Sequence, residues 1–444
     1  MKLYGIALAS LLVLLTTSTL TATETPVSST AEEIIEYSSS SIFQLRIIDR
    51  NSSSKQVLGS AFIIDDGSLL ATNYHVVSSL VQKPEEYKAV ITIGEEDVEF
   101  KVISVDVIHD LAILESLDPK QLSKHNIKPL ELSKTAPHKG AKLFAIGNPY
   151  NIGLTIVEGN YNGLVDNRFF DQIHFSGAVN SGMSGGPTLD ANYEVVGINV
   201  ASAGNQVGFL VPVDKLSTLI SSYQNGDRSS NGFEQPDPVN GIEPTDLQKS
   251  IGIQLQKATH YMIDEILSNP WPMEDLNQAT VVGSVHDAVD CWGNSDTNNK
   301  TKVTTINKGC NSRDNFYVSR SLQTGFIEYE FSYNEAEQWP SFSFYNYMQN
   351  QVMAYPANKA GAKDVDNYSC TESIIQESAQ TIKKAVVYCV RPYILYPGLF
   401  DSFYIATSLD KSKASIMEHY TLSAVSQEDA QRFLNHFINQ VNWK

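Results

Sequence analysis

The chain has 444 residues, with 50 Asp and Glu against 32 Lys and Arg and a formal net charge of −18 at pH 7. A hydrophobic share of 42% supplies a core and excludes a disordered chain, while the acidic balance argues against nucleic acid or an anionic membrane surface as partner. The length exceeds that of one ordinary domain, so two or three are expected.

Met1–Lys2, the apolar run Tyr4 to Leu15 and the small residues through Ala22 have the three parts of a secretory signal, assigned to residues 1–22, with cleavage expected around Thr19 to Thr23. The apolar run falls short of the ~20 residues that a membrane span requires, and no later stretch reaches that length. An exported chain without an integral span, periplasmic or extracellular, is therefore expected. Short apolar runs then recur between turn residues. Strands are predicted at Ile42–Ile48, Ser60–Ile64, Leu69–Thr72, Ala89–Ile93 and Phe100–Val107, and again at Lys142–Ile146, Leu154–Val157, Gln172–Phe175, Glu194–Val200 and Gly208–Val211. This is the rhythm of two β units side by side.

Three motifs within these units carry chemistry. In Asn180-Ser181-Gly182-Met183-Ser184-Gly185-Gly186-Pro187, packing alone does not require a serine among three glycines, and Ser184 reads as a nucleophile. Gly182 lacks a Cβ, so the backbone there turns tightly and aims the N–H groups of Gly182 and Ser184 at one point, where an oxyanion would form. His75 stands at a strand end in Ala71-Thr72-Asn73-Tyr74-His75-Val76-Val77. Asp110 precedes the apolar Leu111-Ala112-Ile113-Leu114, and a carboxylate held against such a strand needs a partner to offset its desolvation. His75 is the natural one. The order His75, Asp110, Ser184 supplies the residue types of an acyl-transfer triad. His109 and His174 have no assigned partner and read as incidental.

The motifs GSAFII, TNYHVV, HDLAIL, AIGNPYNIGLTIVEGNYNG, SGMSGGP and GINVASAGNQVGFLVP stand in an order and spacing that resemble the trypsin-like serine proteases of the HtrA (DegP-like) group, over roughly Ser40 to Tyr223. The resemblance implies an all-β double barrel, with His75 and Asp110 from the first barrel meeting Ser184 from the second. It also implies peptide-bond hydrolysis in protein or peptide substrates without cofactor or metal, a role in protein quality control, and room for a homo-oligomer. By resemblance, Ala178 floors the specificity pocket. With Val179, Val200 and Ala201 beside it, no carboxylate is present to hold a cation, so cleavage after small or medium aliphatic residues is expected. The loop Gly147–Asn151 borders the site by resemblance, or is simple turn chemistry. Met183 departs from the small polar residue usual before the nucleophile. No cysteines flank the histidine, and no PDZ domain is apparent behind the protease.

These readings divide the chain into a protease domain at 23–223, a polar linker at 224–241 and an α+β domain at 242–444. Thr245-Asp246-Leu247-Gln248 is a capping box opening a helix with Leu247, Ile251, Leu255, Ala258, Met262 and Ile266 on one face, ending before Pro270. Strands are predicted at Ile327–Tyr333, where apolar and polar residues alternate, and at Ser341–Tyr345, Ala385–Val390 and Phe403–Thr407. A last helix starts at Ser426 with Ala430, Phe433, Leu434, Phe437 and Val441 inward. This half has neither a metal-ligand spacing nor a glycine-rich phosphate loop. It holds all four cysteines, and the even number in an exported chain reads as a disulfide framework. Equal intervals favour Cys291–Cys310 and Cys370–Cys389. The function expected is a serine endopeptidase. The alternative is a protease-like binding or chaperone protein whose C-terminal domain recognises a partner.

Overall fold

The structure, a computed structural model, describes residues 29–125, 127–202, 206–226, 243–351, 358–376 and 381–444. The expected signal segment and most of the expected linker lie outside the described residues.

The strands Ile42–Asp49, Lys55–Ile64, Leu69–Thr72, Tyr87–Ile93, Glu96–Asp106 and Leu111–Ser116 close into one antiparallel barrel. Alternate residues point opposite ways along a strand. Thus Leu45, Ile47, Ala61, Ile63, Ala89 and Ile91 fill the barrel, whereas Phe62, Ile64, Ala71, Leu111 and Ile113 turn outward to the next unit. A second barrel is made by Lys142–Gly147, Thr155–Leu164, Ile173–Phe175, Pro187–Leu189, Val195–Ser202 and Gly208–Pro212. Pro187–Leu189 is too short to show a periodicity and was absent from the predicted strands. It closes the barrel by pairing with both Val195–Ser202 and Lys142–Gly147. Between the barrels, Phe144, Ile146, Leu189 and Ile198 meet the outward residues of the first, and the helices Ser29–Ser38 and Val213–Gln224 add Ile34, Leu216 and Ile220 to the same buried seam.

The C-terminal half begins with the helix Asp246–Leu267. Its capping box is complete, for the Gln248 N–H donates to Thr245 Oγ1 and the Thr245 N–H donates to Gln248 Oε1. Ile251, Leu255, Ala258 and Met262 are buried in a core shared by the first barrel and an antiparallel seven-stranded sheet. The sheet order is Val289–Thr297, Thr304–Ser312, Ile327–Glu335, Ala414–Val425, Phe400–Ser408, Lys384–Pro392 and Ser369–Ile375. The helix Gln427–Phe437, capped by Ser426, lays Phe433 and Phe437 on Tyr420 of this sheet. The cystines Cys291–Cys310 and Cys370–Cys389 join residues directly opposite one another, so each ties an edge strand to its neighbour.

Two expectations need correction. Ser341–Tyr345 is not a strand but the start of the helix Ser341–Gln351. Phe344 and Met348, four residues apart, are buried beside Val303 and Ala336, while Phe342 is exposed, so the pattern that looked alternating is one side of a helical stripe. Val441 is buried, but beyond the last helix, which ends at Phe437.

Candidate functional site

His75 is the second residue of the helix Tyr74–Gln82, which starts where the strand Leu69–Thr72 leaves the barrel. Asp110 sits just before the strand Leu111–Ser116 with φ +58°, in the left-handed region that aspartate tolerates better than most side chains. That conformation is held from both sides: the Asp110 carbonyl accepts the Tyr74 N–H at 3.1 Å and the Asn73 side-chain amide at 2.9 Å. The carboxylate is thereby aimed at one residue. Oδ1 accepts the His75 N–H at 2.8 Å, and Oδ2 lies 2.6 Å from His75 Nδ1. Burial opposes the charged imidazolium, but the Asp110 charge and hydrogen bond outweigh it and hold the His75 pKa above its ordinary 6.5.

Ser184 lies on a loop of the second barrel that the first barrel grips. The Ser60 N–H donates to the Ser184 carbonyl at 2.8 Å, and Ser60 Oγ donates to the Gly182 carbonyl at 2.8 Å. Gly182 has φ +95°, and a Cβ there would stand 2.6 Å from the Asn148 carbonyl; Gly185 has φ +84°, and its Cβ would stand 2.2 Å from Thr72 Oγ1. Both positions therefore require glycine. Among the described residues neither the Gly182 nor the Ser184 N–H has an acceptor. The Ser184 hydroxyl donates to the Val200 carbonyl at 2.9 Å. The loop Gly147–Asn151 does border this turn, since the Asn148 N–H donates to Ser60 Oγ at 2.8 Å and the Tyr150 N–H to the Ser181 carbonyl at 3.1 Å.

The residues read as a specificity pocket are not all placed alike. Val179 is buried in the core of the second barrel beside Met183, so it does not face an open cleft. Ala178 is partly exposed, Val200 lines a cavity next to His75, and the Ala201 side chain lies outside the described residues. His109 does have a partner, contrary to the sequence reading: its Nδ1 is 2.7 Å from Asp106 Oδ2. Sequence reasoning also passed over Asn199, which is fully buried, donates to the Ile146 carbonyl at 2.9 Å and accepts the Thr188 hydroxyl at 2.6 Å. An asparagine inside an apolar strand was the signal for it. Among the described residues no group of three or more His, Cys, Asp or Glu could hold a metal ion, and no helix is long and apolar enough to cross a membrane.

Residues 59–198 match the family of the trypsin-like peptidase domain. Protease Do-like 1, chloroplastic, of Arabidopsis thaliana is 30% identical over 177 residues, 36% of this chain and 38% of that protein. A probable periplasmic serine endoprotease DegP-like of Bartonella henselae is 28% identical over 237 residues, 51% of this chain and 44% of that protein. The human serine protease HTRA3 is 27% identical over 48% of this chain and 45% of its own length. Among solved structures, the serine endoprotease from Yersinia pestis aligns over 46% of this chain and 69% of its own, with 23% identity and a TM-score of 0.38. The chain spans less than half the length of the three curated relatives named. Residues 59–198 are thus similar to the trypsin-like peptidase domain, and the chain resembles serine proteases of the HtrA and DegP-like kind over about half its length or less.

Proposed function

We propose that the protein is an exported serine endopeptidase that cleaves peptide bonds through an acyl-enzyme, with His75, Asp110 and Ser184 as its triad. The observation that carries this reading is the double engagement of His75 by Asp110, which fixes a proton on Nδ1 and leaves Nε2 as the base. On substrate binding the Ser184 hydroxyl turns from the Val200 carbonyl toward Nε2, gives up its proton and attacks the scissile carbonyl carbon. The free N–H groups of Gly182 and Ser184 take the oxyanion. The imidazolium then protonates the leaving amine, and water, deprotonated by the same nitrogen, releases the acyl group and restores Ser184.

Export is supported by the signal-like leader, by the two cystines and by relatives described as periplasmic endoproteases. A place in protein quality control follows from the same resemblance. The proposed division is a protease domain to residue 223 and a C-terminal domain from residue 242. A fluorophosphonate probe tests the central claim: wild type should be labelled and Ser184→Ala should not. Absence of label on a folded wild type would leave a protease-like binding protein as the reading.

A further inference from the structure

The segment Arg313–Val318 of the C-terminal half crosses the cleft beside His75 and is fastened to both barrels. On the second-barrel side, Asp314 is buried and accepts the Phe169 N–H at 2.8 Å and Arg168 Nε at 3.2 Å, while Arg168 also donates to the Arg313 carbonyl at 3.0 Å. On the first-barrel side, the hydroxyl of fully buried Tyr74 donates to the Val318 carbonyl at 2.7 Å. Tyr74 is the residue next to His75. Between these two moorings the Tyr317 ring stands edge-on to the imidazole, with centroids 6.3 Å apart, and Phe316 meets Phe170 of the second barrel at 5.4 Å.

Under this strap lies a cavity of about 420 Å³ that begins at His75 and Asp110 and is walled by both barrels and by residues 314–317. Neither Ser184 nor Ala178 lines it, so it is distinct from the pocket read from the sequence. Its apolar walls are Val107, Ile108, Phe170, Val200, Phe316 and Tyr317. The carboxylates around it already have partners: Asp314 is paired with Arg168, Asp171 with Lys215 at 3.0 Å, and Asp110 is hydrogen-bonded to the His75 imidazole. A lysine or arginine side chain entering it would lose its hydration without gaining a free counter-charge, whereas an aromatic or large aliphatic one would gain apolar contact on several sides. Because His75 is both a wall of the cavity and the proposed base, an occupant belongs to a residue within one or two positions of the scissile bond.

We infer that the C-terminal half forms part of the substrate site: Asn315, Phe316 and Tyr317 roof a subsite that selects a bulky apolar substrate side chain next to the cleaved residue. The inference rests on the peptidase reading above. The experiment is a positional peptide library hydrolysed by the intact chain as wild type, Tyr317→Ala and Asn315→Trp, with fluorophosphonate labelling of the wild type alongside. Wild type should prefer Phe, Tyr or Leu at one position beside the cleaved residue. Tyr317→Ala should flatten that preference by about tenfold in kcat/KM, and Asn315→Trp, placed at an exposed position on the rim, should shift it toward Ala and Gly. The second variant decides the matter if the first does not fold. A labelled wild type with the same profile in every folded variant overturns the subsite while sparing the peptidase. A uniform rise for all peptides in Tyr317→Ala overturns it as well, since the strap would then be an obstruction. An unlabelled, inert wild type removes the peptidase reading and the subsite with it.

Discussion

The two barrels have similar topology and opposite surroundings. The interior of the first, from Leu45 to Leu114, runs without a break into the helix Asp246–Leu267 and on to Tyr420 and Phe433. The interior of the second is a small separate cluster around Leu143, Phe175 and Leu210. His75 and Asp110 thus belong to a large unit that includes the C-terminal half, and Ser184 to a small one that meets it across a seam. One consequence is that disturbance of the C-terminal half should reach His75, the proposed base, before it reaches Ser184, the proposed nucleophile.

The largest expected effect falls on chemistry alone. Ser184→Ala on one side of the seam, or His75→Ala on the other, should lower kcat by about 10⁴-fold to 10⁶-fold with the thermal midpoint unchanged for the serine variant, measured by steady-state hydrolysis and calorimetry. Near-wild-type turnover in either would break the assignment. Leu255→Ala, which empties a fully buried position in the shared core, should cost about 2–5 kcal/mol. Hydrogen exchange should then accelerate together in the helix Tyr74–Gln82 and in the C-terminal sheet. Leu143→Ala is the matched control, and faster exchange should stay within the second barrel. If the two patterns coincide, the barrels are not distinct units.

Removing the Cys291–Cys310 cross-link by a double serine substitution should cost about 3 kcal/mol, from the entropy returned to a loop of 19 residues. The second barrel has no cysteine and should keep its exchange protection. A pH series offers a subtler test. His75, as the proposed base, must be neutral, and Asp110 raises its pKa, so kcat/KM should climb with pH to a plateau with its midpoint above 6.5. The same pairing contributes stability below pH 6.5 that disappears as pH rises through the raised value. A midpoint under 6.5 would contradict the geometry. The smallest effect concerns Glu328, which burial, with Glu330 adding to it, pushes up to about 7. Its folded pKa is raised, so the stability it adds is complete at low pH and is lost as pH rises through about 7. Glu328→Gln should remove that dependence, moving the midpoint by about 1–2 °C at pH 8.

The legible parts of the sequence were those where one physical cause dominates. Period-two apolar runs marked most strands of both barrels, and Thr245-Asp246-Leu247-Gln248 marked its helix because both capping partners are local. Ser184, His75 and Asp110 were visible as residue types, and glycines at positions 182 and 185 announced a turn that permits nothing larger. The strand Ala414–Val425 was hidden. It is buried along its whole length, yet carries His419, which meets Thr421 two residues on, and Glu418, whose partners Lys384 and Tyr404 come from folding rather than from any local pattern. Ser341–Tyr345 misled because five residues are too few to separate a strand from one helical turn. The strap Arg313–Val318 was equally silent, since Asp314 gains meaning only from Arg168, far away along the chain.

The hydroxyl of Tyr74 bears on how such a chain can be recombined. It sits one residue from His75, gives its proton to the Val318 carbonyl, and accepts from Gln82, whose amide also reaches the hydroxyl of Tyr396. The proton of this buried phenol finds its protein acceptor in the C-terminal half. Cutting the gene after residue 223, or grafting the barrels onto another appendage, would leave that oxygen beside an uncovered apolar face, in the very turn of helix that presents the base. The two halves are joined by a short connector in sequence yet share this polar contact, so a library that shuffles them should recover active clones most often when Tyr74, Gln82 and Tyr396 are kept together with the main-chain path at residue 318.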